Sequence, residues 1–249
     1  MKTSGESSRP GVGGLLLDVL FPRNCVCCRG ACDAHHLHLC DICRQKQDYL
    51  MAEPACPRCA RRVGPFGVRD GRCLACRRRR STVEGTVRVG PYREELSALV
   101  RAFKYGGRDE LDRYLAGLLA DAITLAPWCE KVDALVYVPT HWTHSLGRRY
   151  YAPGILTRIT SRLAGIPTAI VLRRVEGGPH QMEVPPSERR KNIRGKFAMI
   201  RGASVAGARI CLIDDVSTTG ATLNECGRML KEAQADAVYA AVICKVDTT

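Results

Sequence analysis

The stretch that decides the fold runs from residue 208 to residue 222 and reads Ala-Arg-Ile-Cys-Leu-Ile-Asp-Asp-Val-Ser-Thr-Thr-Gly-Ala-Thr. Its apolar part, 208–213, predicts a buried strand, and a helix is predicted over 221–233. Between this strand and this helix lie two adjacent carboxylates, Asp214 and Asp215, and a loop rich in hydroxyl groups. A strand that leads into a helix in this way is typical of α/β proteins, whose ligands bind beyond the carboxyl ends of parallel strands.

The loop has the chemistry of a phosphate site. Backbone N–H groups and hydroxyls at the positive end of a helix dipole can enclose a phosphate monoester, and Gly220 leaves room for its close approach. The two carboxylates just upstream can accept hydrogen bonds from sugar hydroxyls, so the motif describes a ribose 5-phosphate site. The alternative is an ordinary helix capped by Thr218 or Thr219. That alternative leaves two acids beside a packed strand with no cationic partner within the motif.

The chain from Val83 onward alternates predicted strands with predicted helices. Strands are predicted over 83–92, 133–138, 168–172, 197–200, 208–213 and 237–243, and helices over 94–103, 110–125 and 145–163, the last divided or kinked at Pro153 and Gly154. This alternation implies parallel strands joined by right-handed helical crossovers.

Length and composition exclude several classes of protein. The chain has 249 residues, of which 45% are hydrophobic and 25% charged, and this usage excludes disordered and collagen-like chains. The formal net charge of +13 favours polyanionic or phosphorylated partners. No apolar stretch approaches the roughly 20 residues of a membrane-spanning helix, and no signal-peptide cleavage site follows the first apolar stretch. We therefore expect a cytoplasmic protein without membrane insertion.

Cysteines mark a separate amino-terminal module. Ten of the 14 cysteines lie between Cys25 and Cys76, and eight of them form CxxC pairs: Cys25 with Cys28, Cys40 with Cys43, Cys56 with Cys59, and Cys73 with Cys76. Two such pairs supply a tetrahedral thiolate set for Zn²⁺. The spacing predicts one or two structural zinc ions, with two sites from sequential pairing favoured and interleaved pairing open. A disulfide framework is the weaker alternative in a reducing compartment.

Other residues of the module leave alternatives open. Cys27 or Cys32 could replace Cys25 or Cys28 as a ligand, whereas the three histidines between residues 35 and 38 are expected to be solvated. Because this module has few large apolar side chains, metal would supply much of its folding energy. Four consecutive arginines, 77–80, end it, either as a solvated linker or as contacts to nucleic acid.

Residues 212–222 resemble the 5-phosphoribosyl-1-pyrophosphate (PRPP) signature of type I phosphoribosyltransferases, and the chain as a whole resembles the ComF family. Besides that signature and the CxxC pairs, the resemblance rests on the stretch 99–106, on Val138-Pro139, and on Gln181 followed by 189–192 and Phe197. It implies a tail with a short helix over 1–24, a zinc-ribbon-like module over 25–80, and a phosphoribosyltransferase-like parallel sheet with flanking helices over 81–249.

The resemblance also implies roles for individual residues. The residues implied to bind PRPP are Val138, Pro139, Thr140, Asp214, Asp215, Ser217, Thr218, Thr219, Gly220, Ala221 and Thr222. Asp214, Asp215, Arg190 and Lys191 are the implied catalytic residues, the last two on a hood over 173–196 that covers the diphosphate. Mg²⁺ is implied to accompany PRPP. Such sites act mainly by neutralising charge and excluding water.

Two functions follow from this resemblance. One is the transfer of ribose 5-phosphate from PRPP to a nitrogen nucleophile, with release of pyrophosphate. The other is a PRPP- or nucleotide-binding adaptor in DNA uptake and natural transformation, with single-stranded DNA and a competence helicase as partners. The chain also departs from the family, because Arg148-Arg149-Tyr150-Tyr151 stands where ComF proteins carry Arg-Gly-Phe-Asn.

Overall fold

A computed structural model describes residues 24–32, 38–105, 108, 110–139, 152–175 and 193–247. The helices are α1 (Asp41–Met51), α2 (Leu74–Arg77), α3 (Glu94–Tyr105), α4 (Leu111–Thr124), α5 (Ala152–Ala164) and α6 (Ala221–Glu232), with a short 3-10 turn at Cys129–Lys131. The strands are β1 (Val68–Arg69), β2 (Arg72–Cys73), β3 (Gly85–Pro91), β4 (Ala134–Tyr137), β5 (Leu172–Arg174), β6 (Phe197–Met199), β7 (Arg209–Ser217) and β8 (Ala237–Lys245).

The central sheet has the strand order β3-β8-β7-β4, and each neighbouring pair runs parallel. This confirms the predicted α/β architecture with a parallel sheet and flanking helices. In β7 the side chains alternate between two hydrophobic cores, because successive residues of a strand point to opposite faces. Cys211 and Ile213 belong to the core on the side of α3, α4 and α5, whereas Ile210 and Leu212 belong to the core on the side of α6.

The amino-terminal module shares the first of these cores. Leu39 and Leu50 are almost fully buried in the same cluster as Leu96 and Leu99 of α3. Close packing extends to the backbone, since a Cβ on Gly90 of β3 would lie 3.5 Å from the Leu50 carbonyl oxygen. The module is therefore part of the main fold rather than an appendage on a linker.

Buried charges also join the module to the sheet. The Arg88 side chain in β3 is only 3% exposed, and it lies 3.9 Å from Glu53 and 3.5 Å from Asp247 near the carboxyl end. Arg93 also donates to Glu53. Removing one partner of a buried pair is costly because it leaves the other charge without compensation. This cluster fixes three distant parts of the chain against one another.

Two sequence predictions need correction. β7 does not end at residue 213 but continues through both acids to Ser217, because β8 pairs alongside it as far as Lys245. The predicted strand 168–172 is only a bridge from Thr168 to Leu135, after which the chain leaves the sheet and β5 pairs antiparallel with β6. Of the predicted helix 145–163, residues 152–163 are helical in α5, and residues 145–151 lie outside the described residues.

Within the described residues, each helix falls short of the length and apolar character that crossing a lipid bilayer requires.

A tight contact between α6 and the segment that leaves the zinc module gives a first prediction. A Cβ on Gly227 would lie 2.7 Å from Thr82 Oγ1, whereas a Cβ on Gly117 in α4 would meet nothing within 4 Å. We expect Gly227→Ala to lower the free energy of unfolding by about 1–3 kcal/mol through overpacking. Gly117→Ala is the matched control, expected to raise it by up to ~1 kcal/mol through helix propensity. Urea unfolding measures both, and equal effects would contradict the packing argument.

Candidate ligand site and metal centres

The alternation of β7 separates its two acids. Asp215 has the same parity as Ile213 and faces α3, where its Oδ1 accepts a hydrogen bond from Lys104 Nζ at 2.7 Å. The Asp215 side chain is 11% exposed and that of Lys104 is 22% exposed, so water screens this ion pair only partly. The cationic partner missing from the motif is thus supplied by a helix more than a hundred residues earlier in the chain.

Asp214 faces the side of the sheet covered by α6. Its Oδ1 accepts a hydrogen bond from the backbone N–H of Asp215 at 2.9 Å. Burial and the charge on Asp215 raise the pKa of Asp214 to about 8. The site therefore holds a carboxyl that is costly to ionise without a ligand or cation to compensate it.

The loop after β7 turns the chain into α6. Gly220 has a φ of +78°, a left-handed conformation that favours glycine, and it caps the helix. The Ala221 N–H approaches Thr219 Oγ1 at 3.3 Å, and the Asn224 N–H donates to the Gly220 carbonyl at 2.9 Å. The first N–H groups of α6 therefore lie beside the loop hydroxyls, an arrangement that suits an anion.

A buried lysine supports this loop from the neighbouring strand. Lys245, at the end of β8, is 3% exposed, and its Nζ donates to Ser217 Oγ at 3.3 Å and to the Thr218 carbonyl oxygen. Burial lowers the pKa of Lys245 to about 8. The lysine fixes the start of the loop and adds positive charge beneath it.

A cavity of about 360 Å³ opens beside this loop. Loop residues Ser217, Thr219, Gly220 and Ala221 line it together with Lys245. The opposite wall comes from the zinc module and from the segment that joins the module to β3: Arg58, Cys59, Arg61, Ala75, Cys76, Arg79, Arg80 and Ser81. The loop after β7 and the module thus enclose one space.

Eight cysteines of the module form two groups of four. One group is Cys25, Cys28, Cys40 and Cys43, the other is Cys56, Cys59, Cys73 and Cys76, and the sulfurs of each group lie within 4.8 Å of one another. The Cys28–Cys40 sulfurs are 3.6 Å apart and the Cys59–Cys73 sulfurs 3.7 Å apart. Four sulfurs at the usual 2.3 Å from a tetrahedral zinc ion are separated by about 3.8 Å, so both groups fit Zn²⁺. The pairing is sequential, as favoured from the spacing.

Both groups are built on the same local fold. The N–H of Cys25 donates to the Gly30 carbonyl and that of Cys56 to the Arg61 carbonyl, each at 2.8 Å. In both knuckles the residue four positions after the first cysteine has a positive φ, 63° at Arg29 and 57° at Ala60. The hydrogen bond from the Cys59 thiol, which outweighs burial, lowers the pKa of Cys56 to about 4. Zinc binding requires the thiolate form of the cysteine ligands, and this hydrogen bond favours that form at Cys56.

The spare cysteines are outside these groups. Cys27 lies within 4.8 Å of Cys43 and of the buried Glu95, so it borders the first group without belonging to it. His38 packs against Tyr114 with ring centroids 5.0 Å apart. The other two histidines fall outside the described residues.

The structure brings together the predicted residues on β4, β7 and α6. The Val138 N–H donates to the Ile213 carbonyl at 2.9 Å, so the end of β4, with Pro139, lies beside Asp214. Three predicted site residues, Thr140, Arg190 and Lys191, fall outside the described residues. The same holds for Gln181 and residues 189–192, which carried the family resemblance, and for the departure at 148–151.

Sequence reasoning assigned no role in this site to Lys104, Lys245 or Arg58. Lys104 lay within the stretch 99–106 that carried the family resemblance, and this was a usable signal. Lys245 ends an apolar strand, and Arg58 lies inside a CxxC pair, so only the tertiary fold brings them to the loop.

Comparison with known proteins places these features in a family context. Residues 16–77 match a double zinc ribbon domain and residues 152–249 a phosphoribosyl transferase domain. Competence protein F of Haemophilus influenzae is 30% identical over 217 residues, which cover 85% of this chain and 92% of that protein. DNA utilization protein YhgH of Salmonella typhi is 26% identical and that of Escherichia coli K12 24% identical, each over 90% of this chain and 97% of the relative.

Among solved structures, the glutamine PRPP amidotransferase from B. subtilis aligns with 57% of this chain and 30% of its own, at 19% identity and a TM-score of 0.39.

The two cysteine groups predict a defined metal content. We expect purified protein to hold two zinc ions per chain, and Cys59→Ser to hold one, because a structural zinc site needs all four ligands. Cys32→Ser is the control, since Cys32 belongs to neither four-sulfur group. Metal analysis after dialysis gives the count. Two zinc ions retained by Cys59→Ser, or one lost by Cys32→Ser, would show that the ligands are wrongly assigned.

The raised pKa of Asp214 predicts a stability that depends on pH. We expect Asp214→Asn to raise the free energy of unfolding at pH 8 by roughly 1–3 kcal/mol. The unfolded carboxyl ionises near pH 4, so the penalty on the wild-type fold grows as pH rises until it passes the folded pKa of about 8. The gain should therefore be smaller at pH 5.

Urea unfolding at pH 5 and pH 8 measures this difference, with Asp236→Asn at an exposed carboxyl as the control. A gain that is the same at both pH values would contradict the assignment of the penalty to Asp214.

Proposed function

Because this chain belongs to the competence protein F (ComF) family, we propose that its parallel sheet binds PRPP or another ribose 5-phosphate at Asp214, Asp215 and loop 217–222. The observation that carries the proposal is the geometry of these parts: two acids on β7 followed directly by a loop that presents the amino terminus of α6. The phosphoribosyl transferase domain match supports the same ligand class.

Each part of the site has a defined role in this proposal. The N–H groups at the start of α6 and the hydroxyls of Thr218 and Thr219 bind the 5-phosphate. The two carboxylates accept hydrogen bonds from the ribose hydroxyls, and the ion pair with Lys104 fixes Asp215 in position. Val138 and Pro139, at the end of β4, border the diphosphate together with Thr140.

Asp214 also fits a role toward magnesium. Mg²⁺ prefers oxygen ligands and keeps several of its waters, and a carboxyl with a raised pKa gains most from a nearby cation. When bound, Mg²⁺ would neutralise charge on the diphosphate. Asp214 would hold it through water and would lose its proton on ligand binding.

The reaction proposed at this site is phosphoribosyl transfer. A nitrogen nucleophile forms a bond to C1 of the ribose while the bond from C1 to the pyrophosphate oxygen breaks, and the nitrogen releases a proton. Pyrophosphate leaves with its negative charge balanced by cations. Arg190 and Lys191 are the chain's candidates for that task, whereas Asp214 and Asp215 hold the ribose. In this proposal the protein is a glycosyltransferase, with these four as its catalytic residues.

A second candidate function is DNA handling, favoured by the names of the relatives, competence protein F and DNA utilization protein. In this proposal the protein acts in the cytoplasm on single-stranded DNA, with a competence helicase as partner, and exposed arginines 77–80 contact phosphates. Binding to single-stranded DNA should then weaken steeply with salt. No binding at low salt would remove this candidate.

Calorimetric titration of PRPP with Mg²⁺ tests the main proposal. We expect saturable binding by the wild type, and at least about a hundredfold weaker binding by Asp214→Asn/Asp215→Asn, because two charge-assisted sets of hydrogen bonds are lost. Asp236→Asn should bind like the wild type. Pyrophosphate release across a panel of bases and amines then distinguishes a transferase from an adaptor that only binds. Wild-type protein that binds neither PRPP nor ribose 5-phosphate contradicts the proposal.

A further inference from the structure

The cavity beside the phosphate loop is strongly cationic. Arg58, Arg61, Arg79, Arg80 and Lys245 line it, and none of the described residues around it is acidic. The thiolates of Cys59 and Cys76 also border it, but a zinc centre with four thiolates carries only about −2. The charge of its lining therefore suits an anion.

The cavity lies on a definite side of the loop. The strand order β3-β8-β7-β4 puts β4, and with it the proposed diphosphate position, on one side of β7. Lys245 of β8, Thr86 of β3 and the zinc module lie on the other side. A ribose 5-phosphate bound at the end of β7 would thus place its 5-phosphate next to the cavity and its C1 on the side away from the cavity.

Hydrogen bonds hold the cationic wall in place. Thr86 Oγ1 donates to the Arg58 carbonyl at 3.0 Å, and Arg58 Nη2 donates to the Ser81 carbonyl at 3.2 Å. Thr82 is joined to Asn224 of α6 by its N–H to Asn224 Oδ1 at 2.8 Å and by its Oγ1 to the Asn224 carbonyl at 2.7 Å. These bonds anchor the segment that follows Arg79 and Arg80 directly against the helix that carries the loop.

We propose that this cavity is a second phosphate subsite, and that the preferred ligand is a ribose 5-phosphate whose phosphate is followed by at least one further phosphate group. This inference rests on the proposed function, because it takes the 5-phosphate to lie in the loop. Arginine is suited to the role, since its planar guanidinium binds phosphate oxygens in pairs. The zinc module then selects the ligand in addition to stabilising the fold.

Two sources share this chemistry. A nucleoside 5′-diphosphate carries its second phosphate directly on the first. In a polynucleotide the 5′-phosphate is esterified to the preceding nucleotide, and the 5′-phosphate of that nucleotide is the next phosphate group. Titration of AMP, ADP and a 5′-phosphorylated dinucleotide distinguishes them. Tighter binding of ADP than of AMP identifies a diphosphate as the ligand. If the dinucleotide alone binds more tightly than AMP, the ligand is a polynucleotide.

The test uses the whole zinc-loaded protein and two double arginine variants of the zinc module. Arg79→Gln/Arg80→Gln removes two cations of the cavity, and Arg69→Gln/Arg72→Gln removes two exposed cations of β1 and β2 that do not line it. We expect the first variant to lose roughly tenfold in affinity for the extended ligand while its affinity for ribose 5-phosphate changes less than about twofold. The second variant should bind both ligands like the wild type.

Several outcomes overturn the inference. If both variants weaken binding equally, the effect is that of overall charge and not of a subsite. If AMP, ADP and the dinucleotide bind equally well to a protein that binds ribose 5-phosphate, the subsite fails while the proposed function stands. If PRPP and ribose 5-phosphate do not bind, the proposed function fails, and the subsite fails with it because the 5-phosphate has no place in the loop.

Discussion

The parallel pairing of β7 with β8 continues beyond the hydrophobic core, and most features of the ligand site depend on it. Pairing as far as Ser217 and Lys245 keeps both acids in extended conformation, so that they must point to opposite faces of the sheet. One acid then meets Lys104 on α3, and the other lies under α6. Had the strand ended at residue 213, the acids would lie in a loop and nothing would fix their directions. The same pairing places Lys245 under the loop.

The zinc module is integrated with this sheet in two different ways. Its first half contributes leucines to the core beneath α3 and α4, so it is stabilised by apolar burial as well as by metal. Its second half contacts the sheet through polar groups, with Thr86, Thr82 and Asn224 forming the junction. The first half therefore serves the fold, and the second half borders the cavity beside the loop.

Sequence reasoning succeeded where the signal is local. The apolar runs and the alternation of strands and helices were enough for the parallel sheet, and the CxxC spacing was enough for both cysteine groups. The acids and loop of the site were likewise contiguous. Sequence reasoning failed where tertiary contacts decide the extent or pairing of a strand. β7 is longer than its apolar run because β8 pairs with it. The predicted strand 168–172 does not continue in the central sheet, because β5 pairs with β6 instead. Lys104 and Arg58 reach the site from distant positions, which periodicity cannot reveal.

The placement of β3 has a consequence for the synthesis of the protein. β3 begins at Gly85, yet its only neighbour in the described sheet is β8, which ends at Lys245, and Arg88 is buried against Asp247. Pairing between such distant segments is slow to form because a long loop must close first. While the chain emerges from the ribosome, β3 therefore has no partner in the described sheet until β8 has been made. The sheet is completed only at that point, and loss of β8 would leave both β3 and β7 as exposed edges.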